Sequence, residues 1–145
     1  MIRLSKKVEY ALLSLQYMSQ RTGQVCTVKE ISERYNVSFE LLAKVLSALS
    51  KKGLAVSLQG VNGGFMVNRA PESISIADVI HAVEGNKTQI VECLHDTECG
   101  CYVEEKCTIR NPLQRLQKAI DSAFTSMTVQ DLLASEPEFV SLDIA

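Results

Sequence analysis

Four of the five cysteines in this chain, Cys93, Cys99, Cys101 and Cys107, crowd into one short stretch, separated by five, one and five residues around Gly100. Thiolates are soft donors suited to zinc, copper(I) or iron–sulfur clusters. The spacing departs from the paired C-x2-C of zinc ribbons, whereas wide gaps on a flexible loop can wrap a bulkier inorganic cluster. Idle thiols on a polar loop would be oxidation liabilities, so ligation or redox chemistry is expected of them. His95 lies among them as a further donor. A nucleophilic thiol would need a positioned base, and His95 is surrounded by Glu92, Asp96, Glu98, Glu104 and Glu105. That acidic neighbourhood raises thiol pKa values, so the chain is read as a non-enzyme. Cys26 stands apart as a small buried hydrophobe, and His81 is read as a packing or solvent residue.

The charge distribution gives a second candidate site. The 145 residues carry a net charge of −2, but Met1 to Arg69 holds ten basic residues against four acidic ones. A basic front half is attracted to a polyanion, and the acidic remainder must do something else. The length supports one compact domain with an appended helix. No run approaches the roughly 18–20 apolar residues of a membrane span, and Met1 to Tyr10 lacks a signal-peptide pattern. No membrane partner and a cytoplasmic location are therefore expected. In that reducing compartment the cysteines are not disulfides.

The elements that must position these groups follow from periodicity and caps. Leu4, Val8, Ala11, Leu12, Leu15 and Met18 form one apolar stripe on a first helix ended by Gly23. Thr27 and Glu30 make a capping box for a second, reaching about Tyr35. After a turn at Asn36-Val37, Ser38 caps a third, with Leu41, Leu42, Val45, Leu46 and Leu49 inward and a stop at Gly53. Two short helices joined this way form a helix-turn-helix. Ala55–Gln59 and Phe65–Arg69 then read as a hairpin, with Asn62-Gly63 supplying positive backbone angles and Val56 and Leu58 facing inward with Phe65 and Val67. Such a hairpin is a wing.

Ser75 and Asp78 cap a fourth helix carrying Ile76, Val79, Ile80 and Val83 inward, and residues 86–110 read as a loop. Asn111 as cap and Pro112 at the first position begin a long helix. Its stripe of Leu113, Leu116, Ile120, Phe124 and Met127 is narrow, like a helix-pairing seam. Thr128 and Asp131 cap a last short helix. The fold class is thus mainly α with a small β-hairpin wing. The winged helix-turn-helix occupies residues 1–70, the connecting helix and cysteine loop 71–110, the dimerisation helix 111–127, and a final helix and tail 128–145.

On the third helix Ser38, Phe39, Glu40, Ala43, Lys44, Ser47 and Lys51 are left on the outer face, the one that enters a major groove. Lys44 and Lys51 suit phosphates, Ser38 and Ser47 suit phosphates or base edges, and Glu40 can accept from a cytosine amino group. Arg3, Lys6, Lys7 and Lys52 add positive charge. Gly60, Asn62 and Gly63 form a wing tip whose backbone can approach DNA closely; they lack the lysine and following helix of a phosphate-binding loop. The coincidence of helix-turn-helix, wing and basic charge points to double-stranded DNA.

Taken together, several motifs resemble the Rrf2 family of bacterial winged-helix regulators, typified by IscR, NsrR and RirA. They are Arg3-Leu4-Ser5 with Tyr10-Ala11-Leu12, Ile31-Ser32-Glu33-Arg34, Leu46 to Gly53-Leu54, Gly60 with Gly63-Gly64-Phe65, Ile76-Ala77-Asp78-Val79-Ile80, and the cysteine loop before a long helix. The resemblance spans essentially the whole chain. It implies a homodimer paired through the long helix, a palindromic promoter site, and an iron–sulfur cluster whose state sets DNA affinity. The protein would then be a repressor sensing iron, redox or nitric oxide status.

The resemblance also implies a ligand set. Family members commonly use three loop cysteines, the last two separated by five residues, as Cys101 and Cys107 are. The first gap fits RirA-like members from Cys93 to Cys101, and IscR- and NsrR-like members from Cys93 to Cys99. Cys93, Cys101 and Cys107 are therefore favoured, with Cys99 as substitute. IscR-like members place a histidine where this chain has Arg110, which cannot ligate. NsrR-like members recruit an acidic residue from the first helix, which here is Glu9, reaching across from the partner chain. That set resembles a four-iron (4Fe-4S) cluster more than a two-iron (2Fe-2S) one. On the DNA side, Gln59 stands where many members carry Arg or Lys, and Ala43 where IscR has an acidic residue. A thiol- or zinc-based DNA-binding redox regulator without such a cluster is the alternative.

Overall fold

A computed structural model of the chain describes residues 2–85, 88–94 and 101–134. In chain order it contains α1 (Lys6–Ser19), α2 (Val28–Tyr35), α3 (Phe39–Lys51), β1 (Ala55–Leu58), β2 (Gly64–Val67), α4 (Ile76–Glu84), α5 (Arg110–Ser126) and α6 (Val129–Leu133). Short 3-10 turns lie at Pro71–Ser73, Glu92–Leu94 and Glu104–Lys106. This is a mainly helical fold with one two-stranded antiparallel hairpin.

Local chemistry sets most of the helix starts. Thr27, Ser75 and Thr128 each close a reciprocal capping box, with Glu30, Asp78 and Asp131 respectively, which satisfies backbone donors that a helix leaves unpaired. Ser5 and Ser38 accept from Val8 N and Leu41 N. Between α2 and α3 the chain reverses at Asn36, whose φ of 51° is left-handed, a conformation asparagine tolerates.

The main core joins Ala11, Leu15 and Met18 of α1, Ile31 of α2, Leu42, Val45, Leu46 and Leu49 of α3, and Ile74 and Val79. A second cluster of Val8, Ile76 and Ile80 receives Leu4, Leu12, Phe124 and Leu132, and this is where α5 and α6 attach. The attachment is backed by backbone hydrogen bonds: Ile76 N donates to Met127 O and Val129 N to Ile74 O, both at 2.9 Å. Gln16 Nε2 adds a bond to Leu132 O at 2.9 Å. The end of α5 is therefore fastened to the start of α4.

Three expectations need correction. In the wing, Ala55 pairs with Val67, Val56 with Met66, Ser57 with Phe65 and Leu58 with Gly64. Ala55, Phe65 and Val67 meet the core, while Val56 and Leu58 are exposed. On β2 Phe65 and Val67 face inward as expected; on β1 the phase differs by one residue, and a slip of one reverses which side chains face inward. The positive φ at the tip belongs to Gly60, at 109°, not to Asn62 or Gly63, and Gly63 N closes the turn on Gly60 O at 3.0 Å. Finally, α5 begins at Arg110 with Ile109 in the cap position, which makes no side-chain cap bond. Asn111 is not the cap. Pro112 still falls in the first turn, where its missing N–H leaves nothing unpaired.

Candidate functional site

The α3 face is built largely as its pattern predicts, except that Leu41 and Ala43 are both half-buried. Leu42, Val45, Leu46 and Leu49 are buried, whereas Ser38, Phe39, Glu40, Lys44, Ser47 and Lys51 are exposed. Glu40, Lys44, Ser47 and Lys51 follow each other at steps of four, three and four, hence on one side of the helix. Lys44, Ser47 and Lys51 line a shallow hollow with Ala43 and Ala48. Phe39 stays 54% exposed at the helix start, and Ser38 spends one oxygen lone pair on the cap.

The wing presents Gln59, Gly60 and Asn62 to solvent, around a fully exposed Val61. It is held by Cys26 and Phe65, which exchange backbone hydrogen bonds in both directions at 2.8 Å. Gly64 makes that approach possible, since a Cβ there would sit 2.5 Å from Cys26 O. At Gly63 a Cβ would collide with Leu58 O. Cys26 itself is fully buried, and burial first, then Glu30, pushes its thiol pKa up.

The remaining basic residues are not gathered on this face by any described contact. Arg3 lines a hollow with Ile80, Glu84, Leu113 and Leu116, on the α4–α5 side. Lys7 is exposed. Lys6 donates to Glu9 Oε2 at 2.6 Å, and that partnership raises its pKa. Glu9 therefore has a partner already, but an exposed pair on one helix turn is weak and readily exchanged. Glu9 also borders an apolar hollow with Leu12, Leu13, Gln16 and Leu132.

Cys93, Cys101 and Cys107 are half-buried free thiols. Cys93 lies in the 3-10 turn Glu92–Leu94, and Cys107 follows the turn Glu104–Lys106. Among the described residues, no group of three or more His, Cys, Asp and Glu side chains is close enough to hold a metal ion. Cys99 and His95 lie outside the described residues. His81 is exposed on α4. The donor chemistry fits an iron–sulfur cluster, being three soft thiols on one segment, none in a disulfide.

The stripe predicted on α5 divides in two. Leu113, Ile120 and Phe124 are half-buried, while Leu116 and Met127 remain 49% and 45% exposed. The fully inward position between them is taken by Gln117, which hydrogen-bonds Thr88 and Ile90 at the start of the cysteine segment. Gln117 was not singled out from the sequence. The signal for it is a glutamine at the step of four from Leu113 and three from Ile120, inside an otherwise apolar stripe.

Comparison with known proteins decides the family. The sequence model described as "Rrf2: Iron-dependent Transcriptional regulator" matches residues 4–135. The chain belongs to the Rrf2 family. It is similar to the HTH-type transcriptional regulator NsrR of Halalkalibacterium halodurans, 31% identical over 142 residues that cover 97% of each chain. Among solved structures it resembles CymR, described as the global cysteine regulator of B. subtilis, with 27% identity and a TM-score of 0.72 over 92% of this chain and 97% of that one. It shares the fold of T. potens IscR, with 24% identity and a TM-score of 0.67 over 91% and 86%. As an Rrf2 member the protein is a DNA-binding transcriptional regulator. Among the described residues no helix is long and apolar enough to cross a membrane.

Proposed function

We propose that this regulator works as a homodimer on a palindromic promoter site, as a repressor, and that an iron–sulfur cluster held by its cysteine segment controls the binding. The observation that carries this reading is the union of three half-buried thiols on one short segment with a winged helix whose exposed α3 face carries Lys44, Ser47 and Lys51. Cys93, Cys101 and Cys107 are the proposed ligands, with Cys99 as substitute and Glu9 of the opposite protomer as the fourth. A four-iron cluster is favoured over a two-iron one. When bound, such a group supplies redox-active iron open to loss or modification by iron limitation, oxidants or nitric oxide.

The protein's own contribution is positional. Lys44 and Lys51 contact phosphates, Phe39 reaches a thymine methyl, and Glu40 and Ser47 face base edges. Arg3, Lys6 and Lys7 add long-range attraction, and Gln59, Gly60, Asn62 and Gly63 bring the wing backbone to the duplex. A dimer must set its two recognition helices about 34 Å apart. Because Met127 at the end of α5 accepts from Ile76 N of α4, and α4 packs on α3, a small turn of α5 would be passed on to α3. Coupling of this kind changes DNA affinity by about 1–3 kcal/mol.

Anaerobic purification with visible spectroscopy and iron and sulfide assays tests the reading. A coloured protein with matching iron and sulfide supports it; a pale protein that cannot be reconstituted overturns it. A second reading, thiol- or zinc-based sensing without a cluster, is favoured by the likeness to CymR, described as a global cysteine regulator. It expects a colourless protein whose DNA binding responds to peroxide or to a chelator.

A further inference from the structure

Gln117 is 8% exposed, one of few buried polar side chains among the described residues. Its amide is fully engaged. Oε1 accepts from Ile90 N at 2.8 Å, while Nε2 donates to Thr88 O at 3.1 Å and to Asp121 Oδ1 at 2.8 Å. Asp121, one helical turn on, fixes which way the amide points: a carboxylate accepts and cannot donate, so it selects the nitrogen and leaves the oxygen for Ile90. The segment so gripped leads directly to Cys93.

Packing holds that segment only in part: Thr88, Ile90 and Val91 are half-buried and Gln89 is exposed. On one side lies a hollow of about 480 Å³ lined by His81, Leu94 and Lys118 among others, and on the other a hollow of about 450 Å³ bordered by Leu4, Ile80 and Leu116. Thr88 and Gln89 border both. Beside those hollows the Gln117 amide supplies the polar hold on residues 88–90, and buried polar groups are costly to leave unpaired. The other end of α5 is fixed to α4 through Met127, whose carbonyl accepts from Ile76 N.

We propose that Gln117 is a positioning residue that latches the cysteine segment to α5, so that a change at Cys93 reaches the helix that orients the DNA-binding half. This rests on the reading of the cysteine segment as the sensor. It holds for metal ligation and for thiol oxidation alike, since either displaces the backbone that Gln117 grips.

The test uses metal-free full-length protein, with Gln117→Leu, Gln117→Glu and, as control, Ser122→Ala on the exposed side of α5. Alkylation of Cys93 is followed by peptide mass spectrometry, with buried Cys26 as internal reference, and hydrogen exchange is followed at Ile90. In Gln117→Leu, both Cys93 alkylation and Ile90 exchange are expected to rise about tenfold, as for loss of a buried hydrogen bond, with Cys26 unchanged. Gln117→Glu keeps the acceptor for Ile90 but loses both donors and sets a carboxylate against Asp121. Its rise at Ile90 should be smaller than in Gln117→Leu because that one bond is kept, its rise at Cys93 should be at least as large, and Ser122→Ala should give none. Unchanged Cys93 and Ile90, or an equal rise at Cys26, overturns the latch. Operator binding then separates the two proposals. A parent that does not respond to its cysteines overturns both, while a parent that responds, with Gln117→Leu responding equally, overturns the latch alone.

Discussion

Cys26 and Phe65 exchange both of their backbone hydrogen bonds at 2.8 Å, so the wing is stapled to the segment between α1 and α2 rather than hanging free from the end of α3. Gly64 runs against the Cys26 carbonyl at a distance no side chain allows. Replacing it by alanine puts the new carbon against Cys26 O and Val25 Cγ1, and backbone must move. Gly64→Ala should cost about 1–3 kcal/mol, the usual range for overpacking, and weaken DNA binding by shifting the wing. Thermal unfolding and fluorescence anisotropy on one operator check it; an unchanged melting temperature contradicts the staple.

The α3 lysines make a separate prediction about salt. Each of Lys44→Ala and Lys51→Ala should lower the slope of log affinity against log salt by roughly 0.9 if its ammonium meets one phosphate. The exposed Lys29, on α2 and facing Glu33 at 3.9 Å, should leave the slope unchanged when replaced by alanine. Anisotropy titrations at several salt concentrations measure this directly. Equal slopes for all three variants and the parent would remove α3 from the interface.

Much of this architecture was legible because it is local. Thr27-Glu30, Ser75-Asp78 and Thr128-Asp131 are self-contained capping boxes, and the structure builds all three. The phase of the wing was not legible. Val56 and Leu58 alternate as well as Phe65 and Val67 do, and the choice is made by the distant Cys26, which no hairpin pattern contains. The start of α5 was misjudged because Asn111-Pro112 looks like a helix start, although a proline is equally tolerated later in the first turn. Gln117 escaped notice since its burial depends on carbonyl and amide groups nearly thirty residues away. The gathering of cysteines is visible in the sequence; which of them would serve as ligands depends on their spacing in the fold, which the sequence does not contain.

Tyr17 links α1 to α2. Its hydroxyl donates to Glu30 Oε1 at 2.6 Å, Arg21 stacks 3.6 Å from its ring centre, and Tyr35 meets it edge-on at 6.1 Å. The bond to Glu30, then burial, raises its pKa above the ordinary value near 10. A raised pKa means stability that is fully present below pH 10 and lost as pH rises through the folded value. Tyr17→Phe should lower stability by about 1–2 kcal/mol at neutral pH and flatten the decline above pH 10. The buried Cys26 thiol, also raised, adds a decline from about pH 9 in both proteins. Urea melts from pH 7 to 11 distinguish them; parallel curves contradict the assignment.

The ligand roles separate by substitution. Cys93→Ala, Cys101→Ala and Cys107→Ala should each abolish cofactor retention after anaerobic reconstitution, while Cys99→Ala keeps it. Glu9→Ala should retain a cofactor that is lost faster, since a carboxylate is a weak ligand for iron and easily displaced. Visible absorption over time measures both. Retention in Cys101→Ala with loss in Cys99→Ala would reverse the assignment of those two cysteines.

The most direct test compares operator affinity for one anaerobic preparation before and after its metal is removed by a chelator, with Cys107→Ala treated in parallel. Coupling between the cysteine segment and the recognition helices predicts a change of about tenfold or more in the parent and none in Cys107→Ala. Identical affinities for loaded and stripped parent protein would contradict it.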